Sequence, residues 1–168
     1  HMSAEISITN TSADSQHYRV EVSGMPPDWI RLDRPDVRIE AGQREQVLIN
    51  FRPARHSDSR PGDYRVLVQV MLRDNPQHKL DAQMLVHILP YSGFGMALEK
   101  TLISSGQSFR LHLHNQGSAP LPLAITCRNR DNKLRYTFPS NQITLMPGAR
   151  FVVQGQVQPL KPSLWGKP

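Results

Sequence analysis

Apolar and polar residues alternate with period two along most of this chain. Tyr18, Val20 and Val22 are separated by Arg19 and Glu21. Tyr64, Val66, Val68 and Val70 follow the same rule, with Leu67 and Met71 making the second face partly apolar. Phe109, Leu111 and Leu113 alternate with Arg110, His112 and His114, and Phe151, Val153 and Val157 with a face rich in glutamine. Side chains on a strand point to opposite faces in turn, so this pattern predicts antiparallel strands with one face on a core and one in water. Helical periodicity is nearly absent. Turn residues punctuate the runs at Met25-Pro26-Pro27-Asp28, Ala41-Gly42-Gln43, Arg60-Pro61-Gly62-Asp63, Asp74-Asn75-Pro76, Asn115-Gln116-Gly117 and Met146-Pro147-Gly148. Short strands with regular turns predict an all-β sandwich or barrel.

The pattern also repeats. Ile6–Asn10 answers to Leu111–Asn115, Val37–Gly42 to Ile143–Gly148, and the strand ending at Pro53 to the one ending at Pro159. The offsets between these anchors are 105 (115 − 10), 106 (148 − 42) and 106 (159 − 53). One offset at three anchors predicts two copies of one unit. The boundary falls near Leu89-Pro90-Tyr91-Ser92-Gly93, giving domains at residues 1–90 and 91–168. The copies are out of phase. The first continues into Tyr64–Leu72 and Leu80–Leu89, for which the second has no counterpart, whereas Phe94–Ile103 precedes the second copy only. The expectation is a first sandwich lacking its first strand and a second lacking its last two, cut from a longer array. Open edges recruit strands, so the second domain is expected to be completed by another chain or by swapping, or to be poorly ordered.

Composition narrows the chemistry. The chain has 168 residues, 38% of them hydrophobic, and one cysteine, Cys127, so no intrachain disulfide can form. No apolar run is long enough for a membrane-spanning helix, and no insertion into a membrane is expected. A net charge of +6 is compatible with acidic partners, but the cations are spread out and read first as a solvated surface.

The stretch Asn10-Thr11-Ser12, then Tyr18–Gly24, then Pro26–Leu32 resembles bacterial immunoglobulin-like repeats, with the Ala41-Gly42-Gln43 turn and the strand entry Arg60–Val66. Such repeats occur beside α-galactosidases and in long envelope proteins and are related to CARDB-type cell-adhesion domains. Asn115–Leu121 and Pro147-Gly148 carry the resemblance into the second copy more loosely. The resemblance implies two tandem immunoglobulin-like antiparallel β-sandwich domains, an envelope or extracytoplasmic setting, and a spacer or interaction role without an active site.

No serine or histidine sits in a nucleophile signature, and Gly93-Phe94-Gly95-Met96 lacks the length and the Lys-Ser/Thr of a phosphate loop, so no enzyme activity and no cofactor are expected. His112 and His114 point to one side of a strand, as metal ligands must, but no third ligand is evident, and no metal site is assigned. Arg128, Arg130, Lys133 and Arg135 flank Asp131-Asn132 and are expected to ring one hairpin tip. That cluster could grip phosphates or carboxylates. Trp29 reads as a core aromatic, Tyr64, opening a strand directly after Pro-Gly, as a structural residue resembling the tyrosine that locks a corner in immunoglobulin-type sandwiches, and Trp165 as an exposed aromatic. Two functions follow as expectations. The first is a non-catalytic structural or protein-interaction module, a fragment of a larger multi-repeat protein, with a protein partner that includes self through open edges. The alternative is a binding module for acidic glycan or nucleic acid using the basic hairpin.

Overall fold

The computed structural model describes residues 2–100, 102–104, 106–131 and 133–160. The expectations placed on Asn132 and Trp165 lie outside the described residues. The fold is all-β and antiparallel, and it divides into two compact units, His1–Ala54 with Pro61–Leu89, and Arg55–Arg60 with Pro90–Pro168.

The first unit contains β1 (Met2–Thr9), β2 (Gln16–Ser23), a single 3-10 turn (Pro27–Trp29), β3 (Ile30–Leu32), β4 (Asp36–Ile39), β5 (Arg44–Phe51), β6 (Gly62–Leu72) and β7 (Asn75–Ile88). One sheet has the order β1-β5-β3 and the other β4-β2-β6-β7. Their inner faces meet in one core. Ile8, Val47, Ile49 and Phe51 come from the first sheet; Val20, Val37, Ile39, Val66, Val68, Val86 and Ile88 come from the second. Each full burial of such a side chain stabilises by about 1.5–3 kcal/mol, so this interleaving of alternate residues holds the two sheets together. Trp29 closes the packing from outside both ladders, with its ring edge-to-face against Tyr64 at 5.7 Å. Trp29 is buried in the core, and Tyr64 is half-buried against it.

The second unit contains β8 (Phe94–Leu98), β9 (Ser108–Asn115), β10 (Leu121–Ala124), β11 (Leu134–Thr137), β12 (Gln142–Leu145) and β13 (Arg150–Pro159). Its sheets have the orders β11-β13-β9-β8 and β10-β12. The strand registers recur between units, residue for residue. Ala4 faces Ile49 as Phe109 faces Gly155, Ile30 faces Phe51 as Tyr136 faces Val157, and Gln16 faces Ile39 as Leu121 faces Leu145.

The recurrence is sharpest at two buried asparagines. The Asn10 amide Nδ2 donates to the carbonyls of Asp14 and Ile39, and its Oδ1 accepts from the N–H of Ser12. Asn115 donates to the carbonyls of Ala119 and Leu145 and accepts from the N–H of Gly117. The main chain of each asparagine also clamps the distant turn. Asn10 N–H donates to Gln43 and its carbonyl accepts from Gly42 N–H; Asn115 does the same with Ala149 and Gly148. Gly42 and Gly148 take φ of +69° and +72°, a region that glycine enters without steric cost, which is why the turn carries Gly in both units.

The units differ where the strand inventory differs. β8 lies on the outer edge of β9, whereas β1, in the position of β9, pairs with β5 alone among the described residues. β2 is flanked by β4 and β6, whereas β10 pairs with β12 alone among the described residues. The cores follow suit. Among the described residues, the core cluster of the first unit holds thirteen buried hydrophobic residues and that of the second holds four, Leu111, Leu113, Leu145 and Val153.

Two details depart from the sequence expectation. Asn75 and Pro76 belong to β7 rather than to a turn before it. The segment from Arg128 to Arg135 is not a hairpin: β10 pairs with β12 and β11 with β13, so this segment crosses between two different sheets.

Candidate functional site

The feature best suited to binding is the open edge of β1 and the apolar floor beside it. Side chains on β7 that pair with Gly62, Tyr64, Val66, Val68 and Val70 share the core face of the hairpin. Following that face from the chain end of β7 towards the hairpin tip, Ile88 and Val86 are buried, Met84 is half-buried, Ala82 is exposed, and Leu80 is 79% exposed. Nothing in their residue type changes along the way. What changes is the opposite sheet, which ends at β1 while β7 runs on beyond it. The result is a groove of about 750 Å³, floored by Val68, Val70, Leu80 and Ala82 and walled by Ile6 and Ile8.

The backbone along the groove is available as well. Asn10 N–H is turned inward to Gln43. Successive residues of a strand turn their peptide groups to opposite sides, so Glu5, Ser7 and Thr9 present theirs to the open edge. The second unit shows that side occupied: Arg110, in the position of Glu5, accepts a hydrogen bond from Glu99 N–H at 3.0 Å. β8 continues that pairing, with Phe94, Met96 and Leu98 on the face shared with Asn115, Leu113 and Leu111. These three apolar side chains are themselves exposed, because that unit shows no hairpin like β6–β7 opposite them among its described residues. Among the described residues, each unit thus displays a piece that its counterpart does not show.

This arrangement can take up an extended polypeptide; it offers no constellation for bond-making chemistry. Among the described residues there is no group of three or more His, Cys, Asp or Glu side chains able to hold a metal ion. His112 and His114 sit on β9 between the neighbouring strands β8 and β13, opposite Val152 and Arg150. Burial raises the pKa of the Cys127 thiol, which disfavours its thiolate form. No helix among the described residues is long and apolar enough to cross a membrane.

The four cations read from the sequence do not share a hairpin. Arg128 and Arg130 are exposed on the crossover, Lys133 is exposed just before β11, and Arg135 is exposed on β11 opposite Gln158. Because the crossover joins different sheets, the four cations do not ring one hairpin tip. The groove residues Val70, Leu80 and Ala82 were read from the sequence as strand positions and not as a binding site. The signal was present in the alternation of Leu80, Ala82, Met84, Val86 and Ile88, but alternation does not say whether a face is covered.

No family model matches the chain, and no curated protein sequence is similar to it. Solved structures with a similar outline include the CupB2 chaperone of Pseudomonas aeruginosa, at 7% identity over 91% of this chain and 81% of that one, with a TM-score of 0.42. The chaperone DraB of E. coli matches at 11% identity over 96% of this chain and 78% of that one, with a TM-score of 0.38. A chaperone–tip adhesin complex of CFA/I fimbriae biogenesis matches at 11% identity over 96% and 93%, with a TM-score of 0.39. These values describe a distant likeness of outline, and no mechanism is built on it. They do correct the resemblance drawn from the sequence. The similar structures are chaperones rather than α-galactosidase-associated or CARDB-like repeats. The reading as a fragment of a multi-repeat envelope protein, and its alternative as a binder of acidic glycan or nucleic acid, are withdrawn with it.

Proposed function

We propose that this chain is a non-enzymatic, protein-binding module, built of two immunoglobulin-like domains meeting at Leu89-Pro90, that accepts an extended segment of a partner protein as an added strand on β1. The observation that carries this reading is the uncovered core face of β6–β7, where Leu80 is 79% exposed although it is coplanar with buried Val86. Strand addition couples main-chain hydrogen bonds, which give affinity, to pockets for alternate side chains, which give specificity. The ligand chemistry follows from β8 on β9: an extended segment with large apolar residues at every second position, antiparallel to β1. The cell-envelope setting is kept as part of this proposal.

A peptide with the sequence of residues 92–100 serves as the probe, titrated calorimetrically into the full chain. Leu80→Asp is expected to weaken binding at least about ten-fold, since it places a charge where an apolar side chain should seat. Because Leu80 is exposed, its stability cost should stay within about 0.5 kcal/mol. Ser7→Pro deletes one outward N–H without touching the ladder to β5, a position where a sheet tolerates proline. It is expected to weaken binding about five-fold or more. Undiminished binding to both folded variants would remove β1 from the site.

A further inference from the structure

The polar face of β9 carries two histidines that the strand-binding groove does not use. His112 and His114 stand two residues apart within β9, so their side chains leave the same face of the sheet. Across the ladder to β13 they face Val152 and Arg150, and across the ladder to β8 they face Ala97 and Gly95. Residues directly opposite share a face, so on the β8 side only a methyl group and a hydrogen stand beside the two imidazoles. Both histidines line a cavity of about 360 Å³, together with Gly95, Ala97, Arg150 and Val152.

Nothing within the protein occupies these rings. His112 is exposed and His114 half-buried, and among the described residues neither ring takes part in a hydrogen bond or ion pair. The next cation along the same face, Arg110, is by contrast matched by Glu99 at 3.9 Å. A Cβ built on Gly95 would stand 3.4 Å from Gln116 Nε2 and 3.7 Å from His114 Cβ, which puts the Gln116 amide on this face as well. At the offset of 105 residues the counterparts of His112 and His114 are Ser7 and Thr9 (112 − 105 and 114 − 105), so the fold itself asks for no imidazole at either place.

We infer that His112 and His114 form a two-histidine site for a divalent transition-metal ion of the zinc class, with its remaining positions open to water or to an outside ligand. Residues i and i+2 of a strand lie about 6.7 Å apart, whereas two nitrogens bound to one zinc ion at about 2.05 Å stand about 3.3 Å apart. Each ring must therefore lean roughly 1.7 Å towards the other, which rotation about χ1 and χ2 supplies. Gly95 and Ala97 leave that rotation unobstructed on the β8 side. Imidazole nitrogen suits zinc, copper and nickel ions, and two such ligands on one rigid strand chelate where one would not hold. Among the described residues no third His, Cys, Asp or Glu joins the pair, so the site is open, unlike the closed four-ligand shell of structural zinc. Arg150 is exposed and can swing clear of the ion, and a carboxylate bound to the ion would meet its guanidinium. The same side chains could also face an anion, but exposed ion pairs contribute little in water, whereas coordinate bonds form there readily.

The test titrates zinc chloride into the full-length chain while the imidazole C–H signals are followed by NMR. The His112 and His114 signals are expected to move together on one binding curve. His112→Ser and His114→Thr take the residues of the first unit, so both variants should fold. In His112→Ser the zinc concentration that half-shifts the His114 signal is expected to rise at least about ten-fold, and the converse should hold in His114→Thr. Adding Gln116→His to His112→Ser supplies a new pair at the same spacing and should bring the affinity back to within about three-fold. Arg150→Ala should leave zinc binding intact, since a cation gains nothing from that guanidinium. Separate titration of the two signals overturns the inference, as does an unchanged His114 curve in His112→Ser. No recovery on adding Gln116→His overturns the chelate geometry. Inorganic phosphate, titrated in place of zinc, should move neither signal. Joint movement with phosphate that Arg150→Ala abolishes overturns the metal in favour of an anion.

Discussion

Asn10→Ala is expected to destabilise the first unit by about 3–4 kcal/mol, more than any change of a surface residue. The side chain donates to two carbonyls, at 2.8 and 2.9 Å, and accepts from Ser12 N–H at 3.0 Å, with no exposure of its own. It also accepts from the Ser12 hydroxyl and from Tyr18 Oη. Alanine would leave the Ile39 carbonyl without this donor in a site that water does not reach, and a buried group left unsatisfied costs about 1–3 kcal/mol by itself. The remaining lost bonds add roughly 1 kcal/mol each, partly offset where Ser12 and Asp14 can turn to solvent. Asn115→Ala should do the same to the second unit. Hydrogen exchange of Ile49 and Val153 amides separates the two units, which a single melting curve would merge. Asn10→Asp is the sharper control: it keeps the acceptor and loses both amide donors, so it should fall close to alanine. A loss below about 1 kcal/mol for Asn10→Ala would mean that the asparagine is not what fixes the turn.

Gly155→Val should cost the second unit about 3 kcal/mol or more through overpacking. A Cβ at Gly155 would stand 2.4 Å from Phe109 Cζ and 2.9 Å from Phe138 Cε1. The two rings meet edge-to-face with centroids 5.8 Å apart, so neither can yield without disturbing the other. The first unit solves the same space differently, with Ala4, Ile49 and Leu32 in a row across β1, β5 and β3 where the second has Phe109, Gly155 and Phe138. The triple change Phe109→Ala, Gly155→Ile and Phe138→Leu should therefore recover more than half of the stability that Gly155→Val loses. Denaturant titration followed through Val153 exchange measures both. A triple variant no better than the single one would show that the rings do more than fill volume.

The strands were legible because their faces differ. Val20, Val47, Ile49, Val66 and Val68 occupy alternate positions and are all buried, although Leu48 and Leu67 make the opposite faces of their strands partly apolar. The offset of about 105 residues was legible for another reason: Asn10 and Asn115 each need a Gly-bearing turn to bond with, so three separated signals move together. The crossover at 128–135 was misread because local alternation is the same whether two strands share a sheet or part between sheets. Pairing is decided by residues far along the chain, here Gln142–Leu145 and Arg150–Pro159. The groove was illegible for a related reason. Leu80 and Val86 carry the same sequence signal, and only the position of β1 makes one exposed and the other buried.

The row Phe109, Gly155, Phe138 also limits the order in which such a core can change. Starting from the alanine, isoleucine and leucine of the first unit, introducing either ring first would drive it into the isoleucine. Removing the isoleucine first leaves a void that costs several kcal/mol but preserves every rotamer around it. The accessible route therefore passes through a temporarily hollow intermediate, and only a unit with stability in reserve can survive that step. Exchanging single residues between the two units is consequently a poor guide to their compatibility, whereas exchanging the whole row is a fair one.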